Sequence, residues 1–406
     1  MNEKLIVKNF GPIREAELDL KKVTVFIGPQ GSGKSTLAKL VAICKDANFL
    51  CDAFIGKSFI EYFIKYQVNF FLNEDTSFSF DTEKYFLAYS KTDGFDLDIK
   101  TQRNIFLNKT SAPYTNLTLK DLKNFWQGVQ ERIKRGTTSM NTAFFNQVLP
   151  ILIENLNNIA PKIKYLPTDR LLVSSISDSI MGLLSADVAL QKSTIDFGNY
   201  FEIARSNIPN LFIDYLNVTY KYENGRNLVF HNETDSVPLS ASASGHQSAI
   251  PLHLTVEHFA KEENSFFIVE EPELNLYPIT QKGLVGYLAD RCTKGDNSLL
   301  INTHSSYVLT ALNNLIFAYQ VAQVLPERAD EIAKIIPKEQ WLNPDDVAAY
   351  YVGEDENGEK GGIHSIFNRK TGLIGQNELD EVSDELGDEF SSLMNIYRTR
   401  KRETVN

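Results

Sequence analysis

The segment that most constrains the fold is residues 23–36, where an apolar run leads through glycines into a lysine and two hydroxyl residues. Residues 23–27 are β-branched or aromatic, which predicts a strand, and apolar residues recur at helical spacing from Leu37 to Cys44. The spacing between them is Gly28-x4-Gly33-Lys34-Ser35. In a phosphate-binding loop, backbone N–H groups and the positive end of the following helix surround the phosphates. We therefore predict a P-loop, the alternative being a chance glycine turn.

The predicted ligand of this loop is ATP, with Mg²⁺ as cofactor. We expect Lys34 to reach the β- and γ-phosphates and Ser35 to bind Mg²⁺. The residues predicted to contact the nucleotide here are Gly28, Pro29, Gln30, Gly31, Ser32, Gly33, Lys34, Ser35 and Thr36.

Composition limits the class of protein. The 406 residues are 43% hydrophobic, but no stretch approaches the roughly 20 consecutive apolar residues of a membrane span. Residues 1–4 lead directly into strand-like sequence, without the apolar core of a signal peptide. We expect a soluble cytoplasmic protein with no membrane partner. The net charge of −11 argues against a protein coated in nucleic acid, although basic clusters at 132–135 and 398–402 leave a local contact open. The three cysteines lack metal-ligand spacing, which predicts reduced thiols.

The pattern along the chain predicts four parts. Residues 1–44 form the N-terminal part of a head that carries the P-loop, 45–160 an insertion, 161–320 the rest of the head, and 321–406 a C-terminal α/β extension. The insertion is predicted to have its own core, with an aromatic-rich helix at 54–66, strand-like segments near 78–80 and 95–99, and helices near 122–133 and 144–159. It lacks sustained heptads, which argues against long coiled-coil arms. Asn224-Gly225 between strand-like segments predicts a hairpin.

A second motif is the apolar run 265–269, which ends in Glu270, Glu271 and Glu273. Such a run is typical of a buried parallel strand, whose carboxyl end lies beside the P-loop. We predict that Glu270 binds Mg²⁺, directly or through water, and that Glu271 orients and polarises the water attacking the γ-phosphate. The alternative is a strand followed by an ordinary acidic turn.

A third motif is the apolar run at 298–301, which ends in Asn302, Thr303 and His304. A neutral histidine there can hydrogen-bond the γ-phosphate or the attacking water, so His304 is a predicted catalytic residue. A structural histidine is the alternative.

The loop 239–248 is rich in small and hydroxyl residues and opens a helix, which makes it a second candidate anion-binding terminus. One chain does not need two such loops for one nucleotide. We therefore predict that Ser244, Gly245 and Gln247 contact ATP held by the P-loop of another subunit. The alternative is a flexible helix N-cap.

These motifs, in this order, resemble those of the ABC-type ATPase heads of the SMC, RecF and OLD group. Asn9-Phe10-Gly11, Ser244-Gly245-His246-Gln247, residues 270–278 and Thr303-His304-Ser305 are similar to that group's start, signature, Walker B with D-loop, and switch histidine. The resemblance implies an α/β P-loop ABC-type ATPase head, with a mixed sheet and flanking helices, that carries a helical/β insertion. It also implies hydrolysis of ATP to ADP and phosphate, with closure as a head-to-tail dimer with a second copy or a homologous head.

The element Tyr165-Leu166-Pro167-Thr168-Asp169-Arg170 is similar to a Y-[IL]-P-x-[ED]-R pattern of compact antiphage-defence ATPases such as AriA of PARIS and PtuA of Septu. This resemblance implies a molecular switch that controls a partner effector protein encoded nearby. The alternative is a RecF- or SMC-like DNA-maintenance ATPase that clamps DNA. A transporter subunit is disfavoured by the long insertion and the altered signature.

The chain departs from the group's pattern in three places. Glu270 replaces the commoner aspartate, which leaves the metal geometry open, and the signature has Ala243 and His246 where transporter heads carry leucine and glycine. No Gln loop can be assigned. Asp169 or Arg170 either fills that sensing role or forms a structural ion pair.

Overall fold

The computed structural model describes residues 3–55, 58–100, 156, 159–176, 190–375 and 386–394. The strands are β1 (Glu3–Phe10), β2 (Ile13–Leu20), β3 (Val23–Ile27), β4 (Ser77–Asp81), β5 (Tyr85–Ser90), β6 (Gly94–Ile99), β7 (Lys162–Leu166), β8 (Asn210–Ile213), β9 (Val218–Glu223), β10 (Arg226–Phe230), β11 (Ser236–Pro238), β12 (Ser265–Glu270), β13 (Ser298–Thr303), β14 (Val347–Glu354), β15 (Lys360–Ser365), β16 (Phe367–Asn368) and β17 (Leu373–Ile374). The α-helices are α1 (Lys34–Lys45), α2 (Ala47–Ile55), α3 (Ile60–Lys65), α4 (Arg170–Ile176), α5 (Lys192–Asn207), α6 (Ser244–Phe259), α7 (Pro278–Cys292), α8 (Ser306–Val324), α9 (Ala329–Ile335) and α10 (386–394).

The central sheet has the strand order β15-β14-β3-β13-β12-β7. Neighbours from β14 to β7 are parallel, and β15 is antiparallel to β14. Strands β3, β12 and β13 are buried throughout, which explains their continuous apolar sequence. In this register Thr303 pairs with Ile27 and Asn302 with Glu270, so the ends of the three strands lie side by side.

The two faces of the central sheet contribute to two hydrophobic cores. On β3, Phe26 enters one core and its neighbours Val25 and Ile27 the other. The first core also contains α1 and the antiparallel sheet β2-β1-β4-β5-β6, and the second contains α6, α7, α8 and the sheet β11-β10-β9-β8. This arrangement confirms the predicted fold class, an α/β P-loop head with a mixed sheet and flanking helices. The hairpin at Asn224-Gly225 is also confirmed, because β9 pairs antiparallel with β10.

The expectation that the insertion has its own core is wrong for its described residues up to Ile99. Strand β4 pairs with β1, which places Phe80 opposite Leu5 and Phe78 opposite Val7. All four side chains therefore enter the same core, because paired residues share a face of the sheet. The predicted helices at 122–133 and over most of 144–159 lie outside the described residues, and the domain boundaries stay a prediction.

The C-terminal extension contributes β14 and β15 to the central sheet, with β14 paired directly with the P-loop strand β3. The shape of the P-loop therefore depends on residues more than 300 positions later in the chain. In the part of the chain that the structure describes, no helix is both long enough and apolar enough to cross a bilayer.

The shared core can be tested at Phe63, which is fully buried and lies 6.3 Å from Phe10 and 6.2 Å from Phe78, measured between ring centroids. We expect Phe63→Ala to lower the free energy of unfolding by about 3–5 kcal/mol in a urea titration, because it leaves a cavity. Phe70→Ala is the control, with an expected change within about 0.5 kcal/mol, because Phe70 is exposed. A separate early transition confined to residues 58–99 would show that the core is not shared.

Candidate active site

The P-loop between β3 and α1 depends on glycine backbone geometry. Gly28, Gly31 and Gly33 have φ angles of 147°, 79° and 108°, which residues other than glycine rarely adopt. A Cβ atom on Gly28 would lie 2.1 Å from the carbonyl oxygen of Val352, and one on Gly33 would lie 2.5 Å from Cδ1 of Ile13. Helix α1 begins at Lys34 with no side-chain cap, so its N-terminal N–H groups face the loop without a competing side-chain acceptor.

Lys34 is folded back into this loop. Its Nζ atom donates to the carbonyl oxygens of Gly28 and Pro29, both at 2.7 Å. Burial lowers the pKa of Lys34, while the nearby carboxylates Glu271, Glu273 and Glu270 raise it. A phosphate at the loop would replace the two carbonyl contacts with an anionic partner. Ser32 Oγ is buried there without a hydrogen-bond partner, which also fits an incoming acceptor or donor.

The carboxylates predicted from the sequence lie at the end of β12, at the same edge of the sheet. Glu270 is buried, and Asn302 Nδ2 donates to its Oε1 at 3.4 Å. The backbone N–H of Glu271 donates to the carbonyl oxygen of Asn302 at 2.8 Å. Glu271 has a φ of 43°, in the left-handed region, where a residue with a long side chain is strained. Strain of this kind persists only where surrounding contacts hold it.

Glu273 has a structural position that the sequence did not reveal. Its Oε1 accepts hydrogen bonds from Thr303 Oγ1 at 2.7 Å and from the backbone N–H of His304 at 2.9 Å. Its Oε2 is buried without a partner. The available signal was a third carboxylate within four residues of the strand end. Glu273 fixes the end of β13 to the loop that follows β12.

His304 lies beside Glu271. Its Nδ1 is 3.7 Å from Oε1 of Glu271, which is an ion pair only when the histidine is protonated and is too long for a hydrogen bond. The two side chains are 43% and 28% exposed, so both border the open side of the site. The structure therefore brings together Lys34, Glu270, Glu271 and His304, four of the residues predicted to form the site.

Arg170 is the largest fully buried side chain of the described residues. Burial lowers its pKa to about 10, which still leaves the guanidinium charged at pH 7. Its described hydrogen bonds go to three carbonyl oxygens and one hydroxyl group, and Asp169 instead accepts a hydrogen bond from Thr194 Oγ1 at 3.3 Å. The described contacts of Arg170 and Asp169 are therefore not those of the structural ion pair that the sequence left open, and a sensing role for either residue stays a prediction.

The predicted signature residues lie around the start of α6. Ser244 is exposed at its first turn, which has no side-chain cap. A Cβ atom on Gly245 would lie 2.8 Å from the carbonyl oxygen of Asn275, so this glycine lets the loop after β12 pack on α6. Gln247 Nε2 donates back to the carbonyl oxygens of Ser242 at 2.7 Å and Ser240 at 3.3 Å. In this conformation Gln247 shapes its own loop, and its contact with ATP stays a prediction.

His246, the departure from the transporter signature, lies beside His231 with ring centroids 5.4 Å apart. Burial, and then His231, lower its pKa, so the ring is neutral at pH 7. Its Nδ1 is buried without a partner.

The donor set fits Mg²⁺ together with a phosphate rather than an ion held by protein alone. Within the described residues, no group of three or more His, Cys, Asp or Glu side chains has the geometry to hold a metal ion. Mg²⁺ is usually bound by one or two carboxylates together with substrate phosphates. Ser35 and Glu270 would hold it here.

Comparison with known proteins identifies the family of this arrangement. Residues 1–309 match the family model AAA_15, described as an AAA ATPase domain. No curated protein gives a significant match. Among solved structures, the SMC head domain from Thermotoga maritima is 14% identical with a TM-score of 0.36, covering 76% of this chain and 91% of that one. An SMC head bound to the C-winged helix domain of ScpA is 12% identical with a TM-score of 0.37, covering 76% and 92%. These values are too low for either structure to inform the function.

Lys34→Ala should weaken ATP binding by about 100-fold or more, because no other lysine in the loop can neutralise the β- and γ-phosphates. Isothermal titration with ATP and Mg²⁺ measures this. Lys39→Ala, on the same helix, is the matched control and should bind ATP normally. Wild-type affinity in Lys34→Ala would show that the loop is not the phosphate site.

Proposed function

We propose, from the premise that the chain belongs to the AAA ATPase domain family, that it binds and hydrolyses ATP as a molecular switch. The observation that carries this proposal is the meeting of the P-loop, the Glu270–Glu271 pair and His304 at one edge of the central sheet. Each group comes from a different strand end, and the arrangement supplies a cation, a carboxylate and an imidazole around one opening.

The proposed chemistry is transfer of the γ-phosphoryl group of ATP to water. Lys34 neutralises charge on the β- and γ-phosphates, Glu271 orients and polarises the attacking water, and His304 hydrogen-bonds the γ-phosphate or that water. Mg²⁺ at Ser35 and Glu270 supplies further neutralisation of phosphate charge when bound. No hydrogen bond joins His304 to Glu271 at this separation, so each side chain has hydrogen-bonding capacity left for a ligand.

We propose further that two heads close head to tail, with Ser244 and Gly245 of one chain contacting ATP in the P-loop of the other. Three observations support this. Ser244 is exposed at the uncapped start of a 16-residue helix, whose positive end favours an anion. The glycines of the P-loop pack against Ile13 and Val352, whereas Gly245 packs against residues 275–276, so the two loops have different neighbours within one chain. Exposed apolar side chains follow two of the strand ends that form the site, Tyr277 and Ile279 after β12 and Tyr307 after β13, as expected of a protein interface.

The biological role rests on the sequence resemblance alone. The element at 165–170 supports control of an effector protein encoded nearby, in bacterial antiphage defence. The cytoplasmic location stays a prediction. A DNA-clamping ATPase is the alternative function, and the net charge of −11 counts against it.

Glu271→Gln tests hydrolysis and closure together. The amide keeps the shape of the side chain but cannot polarise water as a carboxylate does, so ATP should stay bound while turnover falls by about 100-fold or more. We expect the dimer to accumulate, and light scattering should show a mass of two chains with ATP and Mg²⁺ but not with ADP.

Adding Ser244→Arg to the Glu271→Gln chain should remove this mass change and leave ATP binding intact, because a bulky cation clashes only across the interface. Ser240→Arg, in the preceding turn, is the comparison variant and should allow closure. Loss of ATP binding in a folded Ser244→Arg chain would place this residue in the P-loop site of its own chain and contradict the dimer.

A further inference from the structure

We propose that Arg170 is a positioning residue, which holds Glu271 in its left-handed backbone conformation and connects that conformation to the start of α6. The inference rests on the proposed function, because it assigns Arg170 an effect on turnover that acts through Glu271. Arg170 itself does not border the open side of the site, since it is fully buried.

Arg170 contacts the backbone at the end of β12. Nη1 donates to the carbonyl oxygen of Glu270 at 2.6 Å, and Nη2 donates to that of Glu271 at 2.6 Å. Nη1 also donates to the carbonyl oxygen of Pro167 at 2.7 Å, which ties the end of β7 to the same place. The planar guanidinium group can reach both carbonyl oxygens of the Glu270–Glu271 pair at once, which a lysine ammonium on a flexible stem does less well.

One of these contacts stabilises the strained backbone of Glu271. Glu271, with a φ of 43°, is held by three hydrogen bonds to its backbone. Its N–H donates to the carbonyl oxygen of Asn302 at 2.8 Å, and its own carbonyl oxygen accepts from the N–H of Leu274 at 3.0 Å and from Arg170 Nη2 at 2.6 Å. Without Arg170 the carbonyl oxygen of Glu271 loses its shorter contact and keeps only the N–H of Leu274, so the residue is held less firmly and can relax towards negative φ. That rotation would turn the Glu271 carboxylate away from its place beside His304.

Arg170 and its helix are also hydrogen-bonded to α6. Arg170 Nε donates to Ser248 Oγ at 3.3 Å, one helical turn after Ser244. From the same helix as Arg170, Ser174 Oγ donates to the carbonyl oxygen of Gln247 at 2.5 Å. A movement of the α6 start, where we propose that the second subunit's ATP docks, is therefore passed to Arg170 and from there to Glu271.

If Arg170 had a purely structural role, the expected effects of its replacement would be different. In that case its replacement lowers stability, ATP affinity and turnover together. A positioning residue changes turnover with little change in ATP affinity, and its effect disappears when the carboxylate of Glu271 is already missing.

The test measures kcat, KM, ATP affinity and thermal unfolding for the full chain with Arg170→Lys and with Ser248→Ala. Arg205→Lys is the matched control, because Arg205 is also buried but stacks on Phe201 and Tyr222 away from the site. We expect kcat of Arg170→Lys to fall by about 10-fold or more, with KM and affinity within about 3-fold of wild type. Ser248→Ala should show the same split with a smaller fall, and Arg205→Lys should keep wild-type kcat. If Arg170→Lys does not fold, Ser248→Ala decides the question.

The second measurement is the single-turnover rate in the Glu271→Gln background, where Arg170→Lys or Ser248→Ala should cause no further fall. An equal fall in both backgrounds, or wild-type kcat in Arg170→Lys and Ser248→Ala, would overturn the inference while the proposed function stands. An absence of ATP turnover in the wild-type chain would overturn the proposed function and this inference with it.

Discussion

The register of the parallel strands β3, β13 and β12 is the constraint on which the rest of the site depends. It brings the P-loop, Thr303 and Glu270 to one edge of the sheet, where most polar groups are buried and need partners. The partners come from neighbouring strand ends: Asn302 for Glu270, and Thr303 with the N–H of His304 for Glu273. The cations Lys34 and Arg170 lie within electrostatic range of the three carboxylates. A site built in this way holds its charges in place before any ligand arrives.

The same constraint explains how distant parts of the chain shape the site. The sheet lies between two hydrophobic cores, and the strand that supports the P-loop is paired on one side with β13 and on the other with β14 of the C-terminal extension. Val352 approaches Gly28 so closely that no side chain fits between them. The strand β7, which follows the insertion, ends at Pro167 and leads into Arg170, whose guanidinium contacts the Glu270–Glu271 pair. The sequence on each side of the insertion is therefore connected to the groups proposed to act on ATP.

Short-range patterns predicted the fold class, the P-loop strand and helix, the hairpin at 224–225, and the buried strands that end in Glu270 and Thr303. These features depend on neighbouring residues, whose spacing is visible in the sequence. Two acceptors of Arg170, the carbonyl oxygens of Glu270 and Glu271, lie 100 and 101 residues further on, and the packing of Gly245 depends on residue 275. The backbone of Glu271 likewise contacts Asn302 and Arg170, both distant in the sequence. No local pattern reports such contacts. The core shared by Phe63 and Leu5 was missed for the same reason, because aromatic composition predicts a core but does not say which strands complete it.

The central claim is that one ATP is held between the P-loop of one chain and the Ser244 loop of another. Cross-linking tests it directly, because Cys44, Cys51 and Cys292 are buried and both Gln30 and Ser244 are exposed. Chains carrying Gln30→Cys and chains carrying Ser244→Cys, each with Glu271→Gln, are mixed with a short bismaleimide. The account predicts a covalent dimer containing one chain of each kind, formed with ATP and Mg²⁺ and absent without nucleotide. A third sample is a chain that carries both Gln30→Cys and Ser244→Cys. An intramolecular cross-link in that chain, with no covalent dimer in the mixture, would contradict the account.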